Sequence, residues 1–334
     1  MITVDGYTFE GKYAKLCSDF ISYKRSVGYK YTARTVRHVR YLNKHLSSVV
    51  SSAQEDDYSL GKDAVEAFVS KRPSESPRTQ QTREIIIRQF AVYLDSIGIS
   101  AYIAPALLKW DSGSTFTPYI FTREQISAII NVADNLKYEY RSPHYHYVYP
   151  LLIRILYCCG LRISEALSIK IEDIDFDEGV IRIEQAKFNN SRLIPLSESL
   201  CQALVVYLSQ VGRTKTSKGF LFRTKCGKPY NSHSVYHRFK DFMKTAGIPH
   251  TENGGLPRVH DIRHTFAVHS LDNMVAQGVD AYHILPYLSV FMGHRCLKAT
   301  EKYLRLTPTA FNDIIGALSP LYGDLFQARG EVVE

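Results

Sequence analysis

One stretch rich in glycine, serine, threonine and proline, LLKWDSGSTFTPY at 107–119, separates two series of segments with helical periodicity. Such residues interrupt regular structure and are typical of chain segments between domains. The chain has 334 residues, more than a single hydrophobic core usually needs. The sequence therefore predicts two domains, at 1–108 and 119–307, with a linker at 109–118 and a tail at 308–334.

The first domain has the pattern of a small helical bundle. Four segments with helical periodicity are recognisable, and two of them end at a glycine suited to the position after a helix, Gly28 and Gly98. In the second segment, ARTVRHVRYLNKHL, the valines and leucines share one face and most of the basic side chains take the other. Because β signals are scarce here, we expect a small helical bundle.

The second domain is predicted to be mostly helical around a small antiparallel sheet. Thr122 and Gln125 have the spacing of a capping box at the start of a helix, and a long apolar helix is expected to end at Gly160. In GVIRIEQAKFNNSRLIPLS, two β-branched runs flank Asn189 and Asn190, which predicts a β-hairpin. The expected fold class is therefore mainly α, with a helical bundle followed by an α+β domain.

Basic residues are concentrated near the start of the chain. The net charge of +8 favours a polyanionic partner, and residues 12–44 contain nine lysines and arginines against one acid, Asp19. A basic helix face with interleaved tyrosines is typical of a surface that binds duplex DNA through its phosphates. The candidate DNA-binding residues are Lys24, Arg25, Lys30, Arg34, Arg37, Arg40 and Lys44, with Lys71, Arg72, Arg78 and Arg83 in a second segment that acidic residues dilute.

The cysteines and the apolar segments indicate a reducing, cytoplasmic compartment. The six cysteines form no CxxC pair, and Cys158 and Cys159 are adjacent in an apolar run, which is typical of free thiols under reducing conditions. The N-terminal residues lack the order of a signal peptide, and no apolar run has the length of a membrane span. We therefore expect a cytoplasmic protein that associates with DNA and not with a membrane.

The segment VHDIRHTFAVHS at 259–270 is rich in chemically active side chains. His260 and His264 have the i, i+4 spacing of zinc-binding helices, but the glutamate that follows the first histidine in that motif is replaced by Asp261. Arg263 would also set a fixed cation beside the metal. A zinc hydrolase is therefore the least favoured interpretation. His260 and Arg263, spaced i, i+3, instead suit a phosphate group.

Partners for that phosphate-binding face occur elsewhere in the chain. Arg162 follows a glycine at a helix end, Lys187 lies at the predicted hairpin tip, and Tyr303 follows His294 by nine residues. Each has an ordinary explanation when taken alone. Arg162 could form an ion pair with Glu165, the lysine could be an exposed turn residue, and the tyrosine could simply pack in the core.

Taken together, these segments resemble a known family. GLRISEAL, HDIRHTF, MGH and TEKY, with Lys187 in the hairpin, follow the order and approximate spacing of the tyrosine recombinases, the phage-integrase family, over about residues 120–305. The basic bundle resembles that family's SAM-like core-binding domain, and LPYLSVFMGH is similar to the form found in transposon-associated members. The sequence departs from the family in a longer interval between Arg263 and His294 and in the lack of a histidine shortly after Tyr303.

The resemblance implies a DNA strand-transfer enzyme with Tyr303 as its nucleophile. The phenolic oxygen would attack a backbone phosphorus and form a covalent 3′-phosphotyrosine. His260 would accept the tyrosine proton, because a phenol with a pKa near 10 needs an acceptor. Lys187 would protonate the leaving 5′ oxygen, and His294 would hydrogen-bond the phosphoryl group.

The two arginines complete the implied catalytic set. Arg162 and Arg263 would stabilise the charge that builds on the non-bridging oxygens, a task that metal ions often perform. No metal ion and no other cofactor is therefore expected. Because the bond energy is kept in the phosphotyrosine ester, ATP is not needed either.

Several roles remain open at the level of the sequence. The main expectation is a site-specific recombinase that acts as the integrase or transposase of a mobile element. The same chemistry would serve a recombinase that resolves chromosome or plasmid dimers, and a type IB topoisomerase would use the same residue types without pairing two duplexes. From a different class, a DNA-binding regulator would use the basic bundle and keep the C-terminal residues as a relic.

The expected assembly follows from the reaction. Exchange of strands between two duplexes implies a homotetramer on double-stranded DNA, with a monomer allowed when the protein is free. The tail at 308–334 contains an apolar stripe with helical spacing, formed by Phe311, Ile314, Ile315 and Leu318. A helix with this stripe would dock either on its own domain or on a neighbouring protomer.

Overall fold

The computed structural model describes most of the chain in two compact units, 1–115 and 116–334. The described residues are 1–49, 58–105, 117–140, 142–184, 191–251, 254–294 and 296–306. Three predicted features lie outside them: the linker apart from residues 117 and 118, the hairpin tip with Lys187, and the tail at 308–334. The predicted fold class is confirmed, because helices dominate and the sheets are small and antiparallel.

The first unit is a four-helix bundle preceded by a β-hairpin. Its elements are β1 (Ile2–Val4), β2 (Tyr7–Phe9), α1 (Ala14–Ser26), α2 (Ala33–Val49), α3 (Lys62–Val69) and α4 (Pro77–Ser96). The hairpin is an addition to the small helical bundle expected. Its turn is made by Asp5 and Gly6, both at positive φ, and an Asp-Gly pair is a strong hairpin signal.

The core of the first unit follows the periodicity of its helices. In α2, Val36, Val39 and Leu42 are fully buried, as the sequence predicts. Phe20 of α1 meets Phe90 of α4 edge-on, with 5.4 Å between ring centroids. The apolar face of α2 is thus directed inward, which leaves its basic face for solvent or a partner.

In its described residues, the second unit combines eight helices with one three-stranded antiparallel sheet. The elements are α5 (Arg123–Asp134), α6 (Tyr145–Cys158), α7 (Ile163–Ser168), β3 (Ile174–Asp175), β4 (Val180–Ile183), β5 (Arg192–Pro195), α8 (Glu198–Gln210), α9 (Ser232–Thr245), α10 (Val259–Ala276), α11 (Ala281–Met292) and α12 (Lys298–Glu301). The sheet has the order β3–β4–β5, with Ile181 opposite Ile174 on one side and Ile194 on the other.

Two local predictions for the second unit are confirmed. The capping box is present. The backbone N–H of Gln125 donates to the Thr122 hydroxyl oxygen at 3.2 Å, and the backbone N–H of Thr122 donates to the side-chain oxygen of Gln125 at 3.0 Å. The two predicted strands of the hairpin are β4 and β5. The third strand, β3, is only two residues long and gives too short a pattern to predict.

α10 lies inside the second unit and carries the histidine-rich segment. Its buried residues include polar side chains as well as apolar ones, so the helix has no simple apolar face. It packs against α6, and Gly160, just beyond the end of α6, lies against Phe266 of α10. A Cβ atom added to Gly160 would be 2.2 Å from a ring carbon of Phe266, and the residue has a φ of +57°. Only glycine fits this contact.

We therefore expect Gly160→Ala to destabilise the protein by about 2–4 kcal/mol, because it combines positive-φ strain with overpacking against Phe266. Gly212→Ala is the matched control, since Gly212 also has a positive φ but has open space around it. It should cost only about 1 kcal/mol. Urea unfolding followed by circular dichroism measures both, and equal losses would show that the contact with Phe266 is unimportant.

Candidate active site

Five of the six predicted catalytic residues lie in described parts of the second unit. Arg162 directly precedes α7, and His260 and Arg263 lie in the first half of α10. His294 follows α11, and Tyr303 follows α12. The sixth, Lys187, lies outside the described residues.

Three arginines converge on the buried carboxylate of Glu165. The distances from the carboxylate oxygens are 2.7 Å to Arg162 Nη1, 2.9 Å to Arg192 Nη2 and 3.6 Å to Arg263 Nη1. Burial by itself would raise the pKa of Glu165. Hydrogen bonds from Arg192 and the Arg162 backbone, with the charges of Arg192 and Arg263, instead lower this pKa to about 2. Three guanidinium charges against one carboxylate leave an excess of two positive charges.

Arg162 and Arg263 are also held by backbone carbonyls. Arg263 donates from Nη1 to the Gly160 carbonyl at 2.8 Å and from Nη2 to the Met292 carbonyl, and Arg162 donates to the Gly293 carbonyl at 3.3 Å. Burial and the charge of Arg162 lower the pKa of Arg263 to about 10, so it stays protonated at neutral pH. The two predicted phosphate-binding arginines therefore belong to one cluster.

Three histidines near this cluster are neutral at physiological pH. Burial, and then the charge of Arg263, lower the pKa values of His260 and His294 to about 4. For His264, burial and then the charge of Lys302 lower the pKa to about 3. Neutral imidazoles offer one donor and one acceptor each, which suits contacts to phosphate oxygens and hydroxyl groups.

Tyr303 is completely buried, with 0% of its surface exposed. Its ring stacks on His294 at 6.2 Å between centroids, and His294 Nδ1 lies 2.7 Å from the hydroxyl oxygen of Thr300. Burial raises the pKa of Tyr303 to about 12, although the charges of Arg263 and Arg162 act in the opposite direction. The charges of both arginines therefore act on the Tyr303 hydroxyl and favour its ionised form.

The Tyr303 hydroxyl contacts a histidine that was not among the predicted site residues. The hydroxyl lies 2.9 Å from Nδ1 of His264, whereas His260 was the predicted proton acceptor. The rings of His260 and His264 are 4.9 Å apart, one turn from each other along α10. The sequence signal for His264 was its i, i+4 spacing from His260, which had been considered only for a zinc site.

Two further residues of the cluster were not among the predicted site residues. Glu165 had been considered only as an ion-pair partner of Arg162, and that pair is present. Arg192 carried no recognisable signal, because its partner Glu165 lies 27 residues away along the chain.

Within the described residues, no group of three or more histidine, cysteine, aspartate or glutamate side chains could hold a metal ion.

The predicted DNA-binding residues divide into exposed and occupied side chains. Arg25 donates to the Tyr31 carbonyl and pairs with Asp5, and Arg40 donates to the Thr8 carbonyl. Both therefore contribute to the packing of the first unit. Arg25 is nevertheless exposed, as are Lys30, Arg34, Arg37, Lys44, Lys71, Arg72 and Arg78, while Lys24 is half-buried against aromatic rings.

The assignment of Arg83 to DNA binding is wrong. Only 4% of its surface is exposed, and its guanidinium pairs with the carboxylate of Glu75. It also donates to the carbonyls of Phe68 and Ser70, which fixes the chain between α3 and α4. A local count of charges does not reveal this, because burial depends on how the helices pack.

None of the described helices is both long and apolar enough to cross a membrane.

Removing the charge of Glu165 should destabilise the protein and change its response to acid. The unfolded chain protonates this carboxylate near its ordinary pKa of 4.5, whereas the folded protein keeps it ionised down to about pH 2. The stabilisation is therefore complete at neutral pH and is lost as the pH falls from about 4.5 to 2. We expect Glu165→Gln to cost about 3–5 kcal/mol at pH 7, because it leaves buried arginines unpaired.

The measurement for Glu165 is urea unfolding between about pH 7 and pH 3. Glu178→Gln is the control, since Glu178 is an exposed carboxylate in the turn before β4. It should leave both the stability and its pH dependence almost unchanged. Parallel losses in the two variants, or no loss in Glu165→Gln, would contradict the importance of the arginine cluster.

The chain is similar in sequence to known proteins. Residues 120–309 match the phage integrase family. Protein y4rB of Sinorhizobium fredii, which carries an integrase/recombinase name, is 28% identical over 260 residues, or 76% of this chain and 83% of that protein. Tyrosine recombinase XerC of Chlamydia caviae is 27% identical over 251 residues, or 74% of each protein.

Solved structures share the fold. The XerH site-specific recombinase bound to a palindromic difH substrate has a TM-score of 0.63 at 18% identity, covering 91% of this chain and 94% of that one. A lambda integrase dimer bound to a COC′ core site has a TM-score of 0.55 at 14% identity, covering 85% and 95%. The sequence match to the family spans more than half of the chain. The chain therefore belongs to the phage integrase family and is a tyrosine site-specific recombinase.

Proposed function

We propose that this recombinase cuts and rejoins DNA strands through a covalent 3′-phosphotyrosine at Tyr303, without a metal ion or ATP. The observation that carries the proposal is the cluster in which Arg162 and Arg263 share the carboxylate of Glu165 close to that tyrosine. A backbone phosphate bound to this cluster would lie within reach of the phenolic oxygen after a modest movement.

The charge of the cluster supports phosphoryl transfer. A phosphodiester carries one negative charge, and further negative charge develops on its non-bridging oxygens as the nucleophile attacks. The excess of two positive charges around Glu165 matches this transition state better than it matches the bound diester. Preorganised charges of this kind are an effective way to lower the barrier, because they need no reorganisation during the reaction.

The remaining steps are assigned to the other predicted residues. As the Tyr303 oxygen bonds to phosphorus, its proton passes to His260 and the bond to the 5′ oxygen breaks. Lys187 protonates that leaving oxygen, and His294 hydrogen-bonds the phosphoryl group. Rejoining is the reverse, with a 5′ hydroxyl of the same or another strand displacing the tyrosine. The phosphodiester bond energy is conserved throughout.

Double-stranded DNA is the proposed partner of the first unit. The exposed basic side of α2 includes Arg34, Arg37 and Lys44, with the half-exposed Tyr41 beside them. Contacts of such side chains to phosphates give affinity that depends on salt and little on sequence. XerH and lambda integrase, which share the fold, were solved with DNA bound. We place the working protein in the cytoplasm, on DNA.

The biological role proposed is integration or transposition of a mobile element. Exchange between two duplexes needs four active sites, so we propose a homotetramer on DNA. The second candidate is the resolution of chromosome or plasmid dimers, which uses the same chemistry on two copies of one site. Element ends flanking the gene would favour the first role.

The chemistry predicts that Tyr303→Phe abolishes the covalent adduct. Wild-type protein incubated with nicked duplexes made from the DNA that flanks its gene should form an adduct that survives denaturant. Tyr303→Phe should lower adduct formation by more than about 100-fold, because the attacking oxygen is missing. Tyr287→Phe, an exposed tyrosine on α11, is the control and should behave as wild type.

Three outcomes would contradict parts of this proposal. An adduct that persists in Tyr303→Phe would mean that another residue is the nucleophile. Binding without any adduct by the wild-type protein would favour the DNA-binding regulator. Activity that disappears in a strong chelator would contradict the metal-free mechanism.

A second experiment tests the DNA-binding face of α2. The double variant Arg34→Ala/Arg37→Ala should weaken binding to any duplex and reduce the slope of log K against log salt by about 2. The measurement is fluorescence anisotropy with a random-sequence duplex between about 50 and 200 mM salt. Lys62→Ala, in a surface ion pair with Glu66, is the control. An unchanged slope in the double variant would exclude this face as the phosphate contact.

A further inference from the structure

Two histidines of α10 contact tyrosine hydroxyls in the same way. Nδ1 of His264 lies 2.9 Å from the hydroxyl of Tyr303, and Nδ1 of His269 lies 2.9 Å from the hydroxyl of Tyr157. The first pair is part of the arginine-rich cluster, whereas the second is not. The His269–Tyr157 pair therefore serves as a reference on the same helix. Comparing the two pairs separates a specific role of the His264–Tyr303 contact from ordinary packing.

The contact keeps the Tyr303 hydroxyl away from solvent. Tyr303 has no exposed surface, and His264 is also buried. Arg162, in contrast, is partly exposed, so the arginine cluster can be reached from outside. A phosphate that binds there meets the guanidinium groups before it meets the hydroxyl. For attack, the hydroxyl must leave its buried position next to His264.

We propose that His264 is a positioning residue that holds the Tyr303 hydroxyl, protonated and shielded, until a DNA phosphate binds to Arg162 and Arg263. This inference rests on the proposed function of Tyr303 as the nucleophile. It concerns the protein before DNA cleavage and gives His264 a role different from that of His260. The phenolic oxygen of Tyr303 is then buried, so that neither water nor another electrophile reaches it before DNA binds.

The protonation states agree with storage. Burial raises the pKa of Tyr303 to about 12, and burial with the charge of Lys302 lowers the pKa of His264 to about 3. The proton therefore stays on the tyrosine. In the tautomer of His264 that is protonated on Nε2, Nδ1 accepts a neutral hydrogen bond from the hydroxyl. In this position His264 is a poor proton acceptor, because the two groups differ so widely in proton affinity.

His260 is better placed to take the proton after release. It lies one turn before His264 on α10, and Arg263 and Arg162 both act on its charge. A phosphate bound to those arginines brings negative charge close to His260, which raises its affinity for a proton. The hydroxyl then moves from His264 towards His260 as it approaches the phosphorus. Storage and reaction thus use two neighbouring histidines of one helix.

Chemical nitration of the free, full-length protein tests the storage role without DNA. Tetranitromethane at about pH 8 reacts with accessible, ionisable tyrosines, and peptide mass spectrometry reports each site. His264→Leu keeps the volume but removes the acceptor, whereas His264→Asn keeps a polar group near the position of Nδ1. We expect Tyr303 to react at least about tenfold faster in His264→Leu than in wild type, and His264→Asn to stay near wild type.

The second pair on α10 supplies the matched control. His269→Leu should speed the nitration of Tyr157 and leave Tyr303 unchanged. Exposed Tyr140 (80%) and buried Tyr149 (3%) are the fast and slow internal references. If Tyr149 shows that His264→Leu has unfolded, His264→Gln replaces it, since its amide reaches past the Nδ1 position. Tyr303 should then react faster in His264→Gln than in His264→Asn.

Equal reactivity of Tyr303 in the acceptor-free and acceptor-keeping variants would overturn the storage role. The DNA adduct assay separates this failure from failure of the proposed function. If His264 only stores the hydroxyl, His264→Leu forms the adduct at no less than about a third of the wild-type rate. A loss of about 100-fold would instead make His264 the proton acceptor in the reaction and contradict the inference.

Discussion

The structure of the second unit depends on the ion-pair cluster around Glu165. One buried carboxylate accepts hydrogen bonds from Arg162 before α7 and Arg192 at the start of β5, and it forms an ion pair with Arg263 of α10. Burying guanidinium groups is costly unless they are paired and hydrogen-bonded, and Glu165 supplies the carboxylate that pairs with the buried Arg263. The cluster therefore couples the stability of the unit to the geometry of its active site.

Helix ends complete the same cluster. The carbonyls of Gly160, Met292 and Gly293, at the ends of α6 and α11, accept hydrogen bonds from Arg263 and Arg162. Carbonyl groups at helix C-termini carry partial negative charge and favour a cation. Because these carbonyls are fixed by the helices, the guanidinium groups are oriented before any DNA is present. A charged site of this kind needs little rearrangement to bind a phosphate.

Local patterns accounted for most of the fold. Helical periodicity, the capping box at Thr122 and the β-branched runs of β4 and β5 all correspond to elements of the structure. The hairpin at Asp5 and Gly6 was also readable from a local signal but was not predicted. Arg83 was misassigned, because charge density along the chain does not distinguish a solvated arginine from one buried against Glu75.

The sequence by itself determined which residue types are present, where helices begin and end, and that the chain carries the motifs of a tyrosine recombinase. Only the tertiary structure decided that Arg192 joins the cluster at Glu165, and that His264 contacts Tyr303. These contacts join residues 27 and 39 positions apart. Periodicity and spacing describe neighbours within a few turns, whereas packing of whole helices sets such distances.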